Sequence, residues 1–150
     1  MPGTIVRRAR REDVEAIVHM LADDQLGATR DSADDLEPYL RAFEAIDADP
    51  QQLLVVAASD DGPVATLQLS IIPGLARRGA LRGQIEAVRV RADHRGAGLG
   101  AELVQWAIDE SRRRGCALVQ LTSDTSRAGA HRFYERLGFT PSHTGFKLRL

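Results

Sequence analysis

The chain has 150 residues, a formal charge of −1, 43% hydrophobic residues and one cysteine, which suits one compact domain over residues 1–150. Such a chain can bury about 68–70% of its unfolded surface without a staple, and its lone cysteine excludes an internal disulfide or multi-cysteine zinc site and fits a reducing, cytoplasmic setting. No run nears the roughly 18 apolar residues of a membrane helix, and near-zero net charge speaks against nucleic acid as a general partner.

Thr4 to Arg8 reads as a short strand, entered from Met1-Pro2-Gly3 with no apolar signal core. From Glu12 the period changes. Val14, Ile17, Val18 and Leu21 recur at i, i+3, i+4 and i+7, one face of a helix. Glu12 and Asp13 sit in its first turn, where carboxylates complement the helix dipole. Gly27 is the expected end of this helix, and Gly27 to Asp35 reads as a loop. Leu36, Leu40, Phe43 and Ile46 predict a second helix that stops before Pro50.

Leu53 to Ala58 is an apolar run short enough for a buried strand. Ser59-Asp60-Asp61-Gly62 signals a turn, and Val64 to Ile72 reads as the hairpin partner. A third strand is expected from about Leu81 to Arg91, with Ile85, Ala87 and Arg89 alternating against Glu86, Val88 and Val90. Leu99, Leu103, Trp106 and Ala107 stripe a helix that begins near Gly98 and ends at Gly115. Ala117 to Leu121 reads as a buried strand. Arg127 to Leu137 reads as a helix stopped by Gly138, and Phe139 to Leu150 as a last strand or hairpin. The hairpin implies antiparallel pairing, and the late strand–helix–strand passages imply parallel pairing. An α/β fold with a mixed sheet and helices on both faces satisfies both.

The informative segment is Arg95-Gly96-Ala97-Gly98-Leu99-Gly100, which follows a strand and opens a helix. Its glycines let a ligand approach the backbone, and the helix N-terminus adds partial positive charge. Arg95 adds a forked cation suited to phosphate oxygens. A nucleotide P-loop needs Gly-Lys-Ser/Thr, but Ala101-Glu102 follows here. The glycine spacing also departs from the dinucleotide fingerprint. A glycine turn that only packs helix on strand remains the bland alternative.

Arg95-x-x-Gly98-x-Gly100 resembles the Q/R-x-x-G-x-G/A signature of the GNAT acyl-CoA-dependent N-acyltransferases. Glu86 to Gly96 resembles the strand and bulge that lead into that signature. Ala130-His131-Arg132-Phe133-Tyr134-Glu135-Arg136-Leu137-Gly138-Phe139 resembles the family's A-x-x-F-Y-E-x-L-G-F ending. The resemblance implies a mostly antiparallel sheet with one splayed parallel pair. It implies that acetyl-CoA enters that gap, with pantetheine on the backbone of Val88 and Val90. Its pyrophosphate then rests on Arg95, Gly96, Ala97, Gly98, Leu99 and Gly100. One position departs: where the family often has Asn, this chain has Arg127, either a coenzyme contact or a solvated helix-start cation.

Acyl transfer from a thioester to an amine needs a base, oxyanion donors and an acid for the leaving thiolate. Tyr134 matches the family's thiolate acid; the bland alternative is an ordinary core aromatic. Glu86 is the general-base candidate, since a carboxylate inside an apolar strand is costly unless paired and burial raises its pKa. Pairing with Arg82 or Arg89, or solvent exposure, is its alternative. By resemblance the backbone N–H of Val88 is the oxyanion donor.

Asp23 and Asp24 could attract a cationic amine where the resemblance puts the acceptor but read more simply as exposed helix-end carboxylates, and the four histidines lack metal-ligand spacing. No metal is therefore expected. Cys116 reads as a small buried hydrophobe, and Arg112-Arg113-Arg114 as a solvated helix end rather than a nucleic-acid patch. The expected function is an N-acetyltransferase that joins acetyl-CoA and a primary amine, small-molecule or peptide, by direct attack in a ternary complex. A non-catalytic acyl-CoA-binding regulatory module is the alternative. A homodimer is the common assembly for a small domain.

Overall fold

The structure, a computed structural model, describes residues 3–24 and 26–150. Met1 and Pro2 of the N-terminal reading lie outside the described residues. One sheet runs in chain order: β1 (Ile5–Arg8), β2 (Gln52–Ser59), β3 (Gly62–Ile72), β4 (Leu81–Val90) and β5 (Cys116–Gln120). Pairing is antiparallel from β1 to β4 and parallel between β4 and β5. The mixed, mostly antiparallel sheet expected from sequence is therefore present.

Strand alternation feeds two cores. Leu53, Val55 and Ala57 of β2 join Leu67 and Leu69 of β3 on one face. There α4 (Leu99–Arg113) adds Leu99, Leu103, Val104 and Ala107. Val56 and Ala58 serve the other face, under Val14, Ile17 and Val18 of α1 (Val14–Ala22) and Phe43 of α2 (Glu37–Ala48). Each fully buried Leu or Val contributes about 1.5–3 kcal/mol relative to exposure. The entry to α1 is fixed by polar contacts. Buried Asp13 accepts from Arg7 Nη1 at 2.7 Å, from Arg7 Nη2 at 3.1 Å and from the Arg10 backbone N–H at 2.8 Å.

Four sequence expectations need correction. First, α1 ends at Ala22, not Gly27. Gly27 opens a 3-10 turn, and a β-carbon there would collide with the Leu21 carbonyl oxygen. Second, the stretch with Arg77, Arg78 and Gly79, which reads in sequence as a loop, forms a single turn, α3 (Ala76–Gly79), between β3 and β4, with Arg77 and Arg78 in the left-handed region at φ 57 and 62. Third, the alternation along β4 breaks. Gln68 faces Glu86 while Thr66 faces Arg89, so Ala87 and Val88 together stand opposite Leu67. This β-bulge puts Ala87 at φ 56, a conformation few non-glycine residues adopt. Fourth, Phe139 to Leu150 forms neither strand nor hairpin. A strand exists only through its partner's backbone groups, and among the described residues no strand pairs with that segment. The last helix, α5 (Ala128–Arg136), does stop at Gly138, whose φ is 100.

Candidate active site

The parallel pairing of β4 with β5 runs only to Gln84 opposite Gln120. Beyond it β4 continues for six residues, Ile85 to Val90, with no β5 partner. This divergence ends strand pairing on one side of β4, next to the bulge at Ala87–Val88, and there the carbonyls of Val88 and Val90 accept from the side chains of Arg89 and Arg95 instead. Bulges beside sites re-aim side chains and end pairing.

The end of β4 leads through a 3-10 turn into Arg95–Gly98, all exposed. Gly96 and Gly98 have φ of 84 and 85, and a β-carbon on either would meet nothing within 4 Å. Leu99 is buried and anchors the fifteen-residue α4, whose N-cap residue, Gly98, has no side chain to cap it. Uncapped N–H groups at an open helix start are an anion cradle. A pyrophosphate fits these residues. Gly100 faces inward: a β-carbon there would stand 3.5 Å from Phe133 Cζ and from Val90 Cγ2. Ala97 supplies only an exposed backbone at the turn. Arg95 is half exposed and already engaged. Its Nε donates to the Val90 carbonyl at 3.0 Å and its Nη2 to the Asp23 carbonyl at 3.2 Å.

Tyr134 of α5 is half-buried and packs edge-to-face on Phe133 and Phe139, with ring centroids 5.1 and 5.9 Å away. Burial pushes its pKa up, and Arg127 and Arg89 oppose this without overcoming it. The phenol therefore keeps its proton at neutral pH and can donate it. Glu86 does not match the burial expected of it. It lies exposed at the bulge, and Arg89 pairs elsewhere. Its candidacy as a base rests on position alone. Cys116 is half-buried, and burial pushes its thiol pKa up, which disfavours the nucleophilic thiolate.

Sequence reading missed a charged cluster. The Arg89 side chain is only 10% exposed, and its Nε lies 3.0 Å from Asp24 Oδ2 without the alignment of a hydrogen bond. Its Nη1 donates to the Val88 carbonyl at 2.9 Å. Burial pulls the Arg89 pKa down; Asp24 resists, and the like charges of Arg127 and Arg30 add to the fall. Asp24 is not a bland helix-end carboxylate. Burial pushes its pKa up, but the Gly27 N–H and the charges of Arg89 and Arg127 outweigh that and hold it down. Arg127, at the start of α5, thus acts on Asp24, Arg89 and Tyr134. Regular alternation would put Arg89 on the face of Ile85, but the bulge carries it to the opposite face, against Asp24. The bulge itself had no signal in the sequence.

On the α1 and α2 face of the sheet, an apolar cavity of about 180 Å³ lies between those helices and the strands. Val18, Leu21, Phe43, Leu67 and Gln68 line it, and it reaches Ala87 at the bulge. Among the described residues no group of His, Cys, Asp and Glu could hold a metal ion, and no helix is long and apolar enough to cross a membrane.

Residues 14–139 match the family model described as Acetyltransferase (GNAT) family. An aminoalkylphosphonate N-acetyltransferase of Salmonella typhimurium is 27% identical over 97% of this chain and 91% of its own length. A glucosamine 6-phosphate N-acetyltransferase of Trypanosoma brucei brucei is 38% identical over 58% of this chain and 57% of its own. Among solved structures, a transcriptional regulator from Bacillus halodurans C-125 is 43% identical, with a TM-score of 0.93 over 98% of this chain and 99% of its own.

Proposed function

This chain belongs to the acetyltransferase (GNAT) family, and from that premise we propose that it moves an acetyl group from acetyl-CoA to the primary amine of a small acceptor that also carries an anionic group. The observation that carries this reading is the protonated, half-buried Tyr134 next to a β4 edge freed by divergence from β5. Acetyl-CoA would supply the acetyl thioester. Arg95, Gly96, Ala97, Gly98, Leu99 and Gly100 would hold its pyrophosphate on the uncapped start of α4, and Val88 and Val90 would orient its pantetheine arm through their backbone. Tyr134 would hand its phenolic proton to the leaving sulfur. Glu86, exposed at the bulge, would take the amine proton directly or through water. The N–H of Val88 would face the carbonyl oxygen. Direct attack in a ternary complex is the proposed route, and the protonated thiol that burial favours at Cys116 is consistent with it.

The anionic acceptor is supported by Arg89, a nine-tenths-buried guanidinium with an unsatisfied Nε, and by the added charges of Arg30 and Arg127 around it. Arg89, Arg30 and Arg127 stand against Asp24 and, at Arg30, Asp124, and a phosphate, phosphonate or carboxylate would add forked hydrogen bonds to these guanidiniums. The relatives from Salmonella and Trypanosoma are named for acceptors of that kind, aminoalkylphosphonate and glucosamine 6-phosphate. A matched panel of amines, each with and without its anionic group, tests the reading by thiol release from acetyl-CoA. The expected kcat/KM is at least about tenfold higher for the anionic member of each pair, the value of one charge-assisted contact. Equal turnover of neutral and anionic members sinks the acceptor class. The 43% identity to a transcriptional regulator favours a second reading, an acyl-CoA-binding regulatory module. Tight CoA binding with no thiol release from any amine would select it.

A further inference from the structure

The cavity under α1 and α2 is larger than packing requires. Protein interiors keep few voids bigger than a water molecule, yet this one measures about 180 Å³. A dry apolar cavity of about 150 Å³ holds a benzene ring. The walls favour an apolar occupant, because the polar side chains described on them donate elsewhere. Tyr39 Oη donates to Asp31 at 3.0 Å, Thr66 Oγ1 to the Val55 carbonyl at 2.9 Å and Gln68 Nε2 to Gln52 Oε1 at 2.9 Å. Two stretches of chain lead from this wall to the cluster of cations. Leu21 lines the cavity, and Asp24 follows three residues later. Ala87 lines it too, and Arg89 follows two residues later, its Nε 3.0 Å from Asp24 Oδ2. Glu86 stands just before Ala87 at the same bulge. Strand residues rise only about 3.3 Å each. An apolar hole, a carboxylate and a buried guanidinium therefore meet within four consecutive residues, 86 to 89.

Granted the acetyl transfer proposed for this site, on which this rests, we infer that the acceptor is a compact α-amino acid or aminophosphonate whose apolar side chain, a branched aliphatic group or one aromatic ring, fills the cavity. Three groups have to reach three walls at once. The anion lies against Arg89, the side chain enters past Ala87, and the amine stays at the bulge beside Glu86. Walls so close together are met when the three substituents share one carbon. The amine nitrogen bonds to the acetyl carbon as the carbon–sulfur bond breaks; its proton passes to Glu86 and the Tyr134 proton to the sulfur. A carbon held at three points has a hand. In the mirror-image acceptor two of the groups change places, so that a charge faces the apolar cavity or the side chain faces the guanidinium, and either mismatch is costly. The cavity therefore selects both the size and the hand of the acceptor.

Thiol release from acetyl-CoA tests this with glycine, alanine, leucine and phenylalanine and the phosphonate analogue of each, in both hands where a hand exists. In each series kcat/KM should rise at least about thirtyfold from the alanine to the leucine side chain, the effect of burying the added carbons. One enantiomer of leucine should exceed the other at least about tenfold, the loss of one charge-assisted contact. Enantiomers are equally hydrophobic, so a preference between them reports fixed contacts and not partitioning. Val18→Phe fills the cavity from α1 and should bring the leucine-to-alanine ratio close to one. Should far-ultraviolet circular dichroism show that variant unfolded, Phe43→Leu enlarges the cavity from α2 and should raise the phenylalanine-to-leucine ratio. Rates flat in side-chain size, equal use of both hands, or ratios unmoved in a folded variant overturn the inference and leave the acetyl transfer standing. Thiol release from no amine overturns the transfer itself.

Discussion

The sheet has a sealed half and an open half. In β2, Val55, Val56 and Ala57 are all completely buried, because α1 and α2 cover one face and α4 the other. In β5, three strands away, no residue is fully buried, and Val119 only leans on the core. The difference is one of backbone pairing before it is one of side chains. β2 has a strand on each side, whereas β5 has one partner for only part of its length. The open half holds charged or protonated groups for which a part in binding or catalysis is proposed, among them Tyr134, Arg89, Arg95, Arg127 and Glu86. Binding groups need access to ligand, and access is what full pairing removes.

The sharpest way to test this division is Tyr134→Phe. The variant keeps the edge-to-face contacts with Phe133 and Phe139 and loses only the hydroxyl. If Tyr134 is the thiolate acid, kcat falls by about a thousandfold, within the range of a positioned general acid, while the melting temperature stays near the wild-type value. Steady-state kinetics beside calorimetric melting separates the two. A kcat within a factor of a few would move the acid elsewhere. Next in size is a pair of truncations. Leu67→Ala, in a completely buried position of β3, should cost about 3 kcal/mol of unfolding free energy. Val119→Ala in β5 should cost about 1 kcal/mol, since its neighbours can relax into solvent. Urea unfolding reads both. Equal losses would mean that the open half is as tightly held as the sealed one.

Legibility in the sequence followed the same boundary. In the sealed half, periodicity alone located α2 within a residue or two and both hairpin strands, because each element buries one regular stripe. In the open half the glycines at 98, 115 and 138 marked helix ends correctly: Gly115 and Gly138 take the positive φ of a left-handed helix stop, and Gly98 takes one in the turn that opens α4. What stayed hidden depends on tertiary pairing. The bulge at Ala87–Val88 exists because two residues of β4 face one of β3, and nothing local at Ala87 announces a left-handed residue. The exposure of Glu86 and the inward turn of Arg89 both follow from that one irregularity. Phe139 to Leu150 has the alternation of a strand, but alternation does not supply the partner strand.

The smallest expected effect concerns two aspartates, one in each half, held low by different means. Burial pushes the Asp13 pKa up, but the Arg7 guanidinium and the Arg10 N–H outweigh it, and the net shift is down. Asp24 is held down by the Gly27 N–H and by Arg89 against the same desolvation. A folded pKa below the unfolded value of about 3.9 means that the unfolded chain binds the proton more readily at low pH. Each aspartate therefore stabilises the fold fully above that value, and its contribution is lost as pH falls through the folded pKa. The Asp13 side chain is 5% exposed and that of Asp24 is 23% exposed, so solvent screens the second pair more. Urea unfolding at a series of pH values should show a flat plateau from pH 5 to 7, as far as these groups contribute, and a falling acid limb below about pH 4. Asp13→Asn should flatten that limb more than Asp24→Asn does. The reverse order would place more of the acid-sensitive stability at the candidate site than in the sealed half, against the division of labour drawn from the pairing of the strands.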